Sequence, residues 1–173
     1  MIMDIYGDCC YLSLIDPLRY SSFVGPDWAT NERLLEPHFI TQGNNCSALV
    51  WDTGFEADWR VEIREGISTE KGFREVTGSI RNSGEALYIA NYDSLSMSAQ
   101  FADHRLPDED CARYKISLPS ALYTVRVVQR VNPATYFHTD ACENTERPAE
   151  FLIEYARCDI SISPWSEVPW SSL

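Results

Sequence analysis

Histidine, cysteine and aspartate brought within reach of one another can make a nucleophile or hold a metal. This 173-residue chain carries one dense run of them, His138-Thr-Asp-Ala-Cys142. On an extended segment, positions 138, 140 and 142 point the same way, so an imidazole, a carboxylate and a thiol could meet one metal or substrate. The other histidines, His38 and His104, stand apart in the sequence. A hydrolase would need a histidine to converge with Cys142 or Cys111 and a carboxylate. No Gly-x-Ser-x-Gly, His-Glu-x-x-His or Gly-rich phosphate loop accompanies these residues, and no Cys-x-x-Cys pair occurs. The competing reading of the run is a solvated loop. We assign no catalytic residue, no metal and no cofactor. Six cysteines could form three disulfides, but adjacent Cys9 and Cys10 and the wide spacing of the rest make no framework, so free thiols are expected.

Acids and tryptophans are the other candidates. Asp108, Glu109 and Asp110 form the sharpest acidic run, and Asp140, Glu143 and Glu146 lie in the polar stretch from Pro133 to Pro148. Either set is a solvated turn or an electrostatic contact for a basic partner. Glu62 and Glu154, on strand faces, read as ordinary solvation. Trp51 and Trp59 fall within or beside strand patterns and read as core. Trp28, Trp165 and Trp170 sit among turn residues and are candidates for packing against the body, a protein partner or a sugar ring.

The elements that must position these residues read mainly as strands. In Arg60-Val-Glu-Ile-Arg64, Val61 and Ile63 share one face and the charges share the other. Arg113 to Leu118 repeats the alternation up to Pro119, and Tyr123 to Val131 follows, so the two runs predict a hairpin. Further strands are expected at Tyr11 to Ile15, Ala48 to Asp52, Ala86 to Tyr92, Ser96 to Phe101 and Glu150 to Tyr155, with a turn at Asn82-Ser-Gly84. Only Thr30 to Glu36 looks helical, capped by Thr30 and ended by Pro37. These elements predict an all-β fold, an antiparallel β-sandwich with one short helix. It would be a single domain over 1–173 with a Pro/Trp tail from about residue 163.

Charge narrows the function. With 26 acids against 14 Lys and Arg, the formal net charge is -12 and the sequence pI about 4.6. A nucleic-acid binder that gains affinity by releasing phosphate counterions needs the opposite sign. Adsorption to anionic lipid is disfavoured in the same way, whereas attraction to a basic protein is favoured. No apolar run reaches the length of a membrane helix, and Met1-Ile-Met-Asp4 has no basic region before an apolar stretch, so a cytoplasmic protein is expected.

Several segments together resemble the competence protein J family. The strand around Tyr11 to Ile15 and then Asp27-Trp-Ala-Thr-Asn-Glu32, followed by Phe39 and the strand through Leu49-Val-Trp51, are similar to that family's opening strand, Asp-Trp-Thr/Ser-like turn and acidic helix-like stretch. Arg113 through Leu118-Pro-Ser-Ala-Leu-Tyr123 is similar to its strand, Leu-Pro-x-Gly-x-Tyr corner and return strand. Val76-Thr-Gly-Ser-Ile80 and Gly84 to Ala90 run in the matching order. Ala121 stands where the family has glycine, so the turn either keeps a negative φ or is strained, and Asp140 to Glu146 looks like an insertion. The resemblance implies an inhibitor, since the family is associated with restraint of a DNA-entry nuclease. The charge balance points the same way: a small acidic protein can occupy a phosphate-binding surface by imitating its charge. The expected partner is therefore a basic nuclease or toxin, met through the six loop acids above with Trp28 and Trp165.

Overall fold

A computed structural model describes residues 1–26, 34–136, 148–162 and 164–171. Its strands are β1 (Ile2–Ile5), β2 (Tyr11–Ile15), β3 (Ala48–Asp52), β4 (Trp59–Glu65), β5 (Arg74–Asn82), β6 (Ala86–Asn91), β7 (Lys115–Ser117), β8 (Ala121–Gln129) and β9 (Phe151–Cys158). Helices are α1 (Leu35–Asn44), α2 (Tyr92–Gln100) and α3 (Pro133–Tyr136). The strands form two sheets, a five-stranded one in the order β1-β4-β9-β8-β5 and a four-stranded one in the order β3-β2-β6-β7. The fold is mainly β. One cluster of buried side chains draws on both sheets, with Leu12, Leu14, Trp51 and Ile89 from one and Trp59, Val61, Val125 and Phe151 from the other. Trp51 and Trp59 are core residues, and β4 shows the expected alternation, with Trp59, Val61 and Ile63 buried.

Four expectations are corrected. The sheets are not wholly antiparallel, because β4 and β9 pair in parallel from Val61 opposite Phe151 to Glu65 opposite Tyr155. No tight turn joins these strands, so none fixes their relative sense. There are three helices instead of one among the described residues. Helix α1 does not stop at Pro37 but begins just before it, at Leu35. A proline in the first turn sacrifices only an N–H that has no intrahelical acceptor anyway. The proposed cap, Thr30, lies outside the described residues.

Ser96 to Phe101 is the third correction, since most of it belongs to α2 and not to a strand. The Asn91 side chain caps this helix by accepting from the Ser94 N–H at 3.0 Å. The buried residues, Ser94, Leu95, Ser98 and Ala99, recur with helical spacing.

Fourth, the two runs around Pro119 are not a hairpin. β7 pairs with β6 in one sheet, while β8 pairs with β5 and β9 in the other. The Leu118 to Leu122 corner therefore carries the chain from sheet to sheet. Buried Asn82 ties it down: its amide donates to the Leu118 carbonyl at 2.7 Å and its oxygen accepts from the Gly84 N–H. Tyr123 donates its hydroxyl to the Pro119 carbonyl at 2.8 Å. Ala121 keeps a negative φ, because Cys46 and Trp170 are the non-glycine residues with positive φ among those described.

After β9 the chain runs as a strap across β5 and β3. Ile162 N–H donates to Ser79 Oγ at 2.9 Å, Trp165 Nε1 to the Thr77 carbonyl at 2.8 Å, and Asp52 N–H to the Pro169 carbonyl at 3.0 Å.

Candidate functional site

The positive charges show first where a site is not. On the outer face of the five-stranded sheet, Glu62, Glu70, Glu75 and Glu154 interlock with Arg64, Lys71, Arg126 and Arg130. Glu154, read from the sequence as a solvated strand residue, is fully buried, with Arg126 Nη1 at 2.7 Å and the Ser68 N–H at 3.2 Å. Burial raises its pKa, but the bonds from Ser68 and Arg126 outweigh this and hold it below the usual glutamate value. The chain between β4 and β5 folds over the group, and Arg126 also donates to the carbonyls of Ser68 and Glu70. Gly72 lets this cover lie flat: a Cβ there would be 2.5 Å from the Gln129 carbonyl oxygen. Four acids against four bases make this cluster neutral, so the excess of -12 is carried by the rest of the chain.

Part of that excess gathers at one end, around the start of α2. Asp93, in the first turn of α2, accepts the Asp8 N–H at 2.9 Å, and Asp8 accepts the Cys10 N–H at 3.1 Å. Gly7 permits this close approach, with φ +99° and with Asp93 Oδ2 2.9 Å from where a Cβ would stand. Cys9 lies buried beneath, its thiol pushed up to about 12 by burial and by the charges of Asp58, Asp8 and Asp93. The connection from α2 to β7 joins the same end, because Asp108 is hydrogen-bonded to Ser94. Glu109, Asp110, Asp58 and Asp93 are exposed. Two arginines lie in that connection, exposed Arg105 and Arg113, and Arg113 lies over the Tyr114 ring at 4.8 Å and the Tyr6 ring at 5.7 Å.

Of the predicted contact acids, Glu109 and Asp110 face solvent and Asp108 does not face out with them. Asp108 accepts the Cys111 N–H at 2.8 Å through one oxygen and contacts His104 Nε2 at 3.2 Å through the other. Burial works against its charge, but these bonds prevail and its pKa is lowered. Asp140, Glu143, Glu146 and Trp28 lie outside the described residues, as do His138 and Cys142. Trp165 is half-buried against the core, its ring 2.9 Å and Leu49 2.7 Å from where a Cβ at Gly78 would stand. The hollow beside it has about 30 Å³, room for a water or two and not for a sugar ring. Trp170 packs under the Arg74 guanidinium at 4.5 Å.

A histidine, a thiol and a carboxylate do converge, at His104, Asp108 and Cys111, but in the wrong order for attack. The carboxylate stands between the other two, whereas an activated thiol needs the imidazole beside it. Cys111 is buried, and burial followed by the Asp108 charge pushes its thiol up to about 12, which keeps it protonated. His38 is lowered by burial and faces the edge of the Tyr20 ring, with no bonding partner for Nε2 among the described residues. Among those residues no group of three or more His, Cys, Asp or Glu can hold a metal, and no helix is long and apolar enough to cross a membrane. The five described cysteines are free thiols.

Fold and site thus define a mainly-β protein of two sheets with an acidic end. No family model matches the chain, and no curated protein does. Two solved structures are similar. One, described as crocagin biosynthetic gene J, is 11% identical and has a TM-score of 0.55, covering 90% of this chain and 93% of that one. This likeness shows a shared fold. The other is ComJ of Bacillus subtilis, described as inhibitor of the DNA degrading activity of NucA. It is 10% identical with a TM-score of 0.47, covering 91% of this chain and 99% of its own. Its name is that of the family the residues resemble.

Proposed function

We propose that this chain is a single β-sandwich domain that acts in the cytoplasm as an acidic binding protein, an inhibitor or immunity protein of a basic nuclease or toxin. The carrying observation is the division of charge. The ion-paired cluster on the outer face of the five-stranded sheet neutralises itself, and exposed Asp58, Asp93, Glu109 and Asp110 carry part of the excess. A field of one sign accelerates encounter with a basic surface and discourages nucleic acid and anionic lipid. Binding of this kind uses neither a cofactor nor a catalytic residue. Asp140, Glu143, Glu146 and Trp28 belong to the proposed contact on sequence grounds, while Asp108 braces the loop that presents its neighbours.

The test is a nuclease assay with the host's basic nucleases, with and without one equivalent of the protein, at low and high salt. Inhibition that weakens with salt is expected. Neutralising Asp108, Glu109, Asp110, Asp140, Glu143 and Glu146 together should weaken it further, and unchanged inhibition by that variant removes these acids from the contact.

A further inference from the structure

The two sheets have four outer edges, and three are guarded. The strap and the Cys46 carbonyl, which accepts from Arg81 N–H, cover β5, and Pro169 covers β3. β7 is three residues long and begins with an exposed lysine. Short, charged or covered edges keep sheets from recruiting foreign strands.

Among the described residues β1 has no such cover. The Ile63 N–H donates to the Met1 carbonyl at 2.7 Å and the Met1 amine donates back, so Met1, Met3 and Ile5 form the hydrogen-bonded pairs with β4. Ladder alternation then points the N–H and C=O groups of Ile2 and Asp4 away from the sheet. Ile2 is 57% exposed, and Met3 and Ile5 face the core. Asp4 meets Arg60 at 3.5 Å, and the strand leads directly to Asp8 while β4 is entered from Asp58.

We propose that β1 is a docking edge that accepts an extended, basic segment of the protein partner as a sixth strand. Main-chain pairing with Ile2 and Asp4 would supply the bonds, a lysine or arginine would lie beside Asp4, and an apolar residue beside Ile2. A second copy of this chain is the poorer occupant, because it would set its own Asp4, Asp8 and Asp58 against these and oppose -12 with -12. The basic character of the segment rests on the function proposed above; the open edge does not.

The probe is an eight-residue peptide alternating lysine and valine, presented to the full chain and compared with a glutamate-valine peptide and with a lysine-valine peptide N-methylated at alternate residues. Amide exchange measured by NMR should slow at Ile2 and Asp4 with the first peptide alone. Asp4→Pro removes one outward N–H at an edge position where proline is tolerated, and should weaken binding about tenfold, as should Asp4→Lys, which keeps the N–H. The N-methylated peptide tests the same bonds without altering the protein. Protection elsewhere, equal binding of the N-methylated or glutamate peptide, or a dimer that Asp4→Pro dissolves would each overturn the proposal. Nuclease inhibition that persists while the peptide fails to bind overturns the docking edge alone. Peptide binding at β1 with no basic nuclease inhibited overturns the function and supports the edge.

Discussion

Charged residues lie both on the outer face of the five-stranded sheet and at the start of α2, and they behave oppositely. On the sheet every acid named has a guanidinium or ammonium partner, and Glu154 has given up water entirely. At the α2 end Asp93 and Asp8 each accept one backbone N–H, Glu109 and Asp110 stand in solvent, and Arg113 lies on tyrosine rings. Charges of the first kind hold a shape, because removing one strands its partner in a poorly hydrated place. Charges of the second kind cost the fold little and act at a distance. Acid content alone therefore does not locate a binding surface; the distribution of the bases does.

The largest effect expected is from Glu154→Ala, which removes the buried carboxylate beside Arg126 and leaves it half-exposed Glu75 and two carbonyls, and should cost up to about 3 kcal/mol in urea denaturation. Replacing both members, Arg126→Met with Glu154→Leu, should restore most of that loss. A single variant no worse than the pair would break the contrast. Acid should act on the same group. The native pKa of Glu154 is lowered, so the unfolded state binds protons first and stability falls as pH drops from the ordinary glutamate value of 4.5 through the lowered one. Melting measured against pH should show a shallower decline in Glu154→Gln than in the wild type.

Asp108 separates the two regions more finely. Asp108→Ala orphans the Cys111 N–H and should cost about 1–3 kcal/mol, although its two neighbours cost nothing. For Glu109→Gln with Asp110→Asn, unfolding should change by less than about 0.5 kcal/mol, while stopped-flow association with a basic partner slows and loses part of its salt dependence. An unfolding penalty as large as that of Asp108→Ala would place these acids in the structural class.

Sequence patterning revealed what depends on neighbours along the chain. The two-residue period placed Val61 and Ile63 inward, and Trp51 and Trp59 were recognisable as core. It failed where distant partners decide. A proline corner can turn back within a sheet or step across to another, and Asn82, thirty-six residues before Leu118, settles that choice. Ser96 to Phe101 offered β-like alternation, but the Asn91 cap and a small-residue face favoured α2. Asp8, Asp58 and Asp93 are dispersed through the sequence, and the usable signal for Asp93 was the Asn91 cap that places it in a first helical turn. Glu154 looked solvated because nothing local announces that residues after Glu65 will cover it.

The strand order also governs how the molecule comes into being. In the five-stranded sheet β9 lies between β4 and β8, so the pair of β1 with β4 and the pair of β5 with β8 share no ladder until it is inserted. Its partners on β4 precede it by about ninety residues, a loop closure that must be completed before its bonds are gained. During synthesis the β1–β4 pair therefore emerges with an unpaired inner edge, which stays open until the residues up to Cys158 have left the ribosome. Slow, late-completing assembly with a marked need for protection from aggregation follows from the position of this one strand.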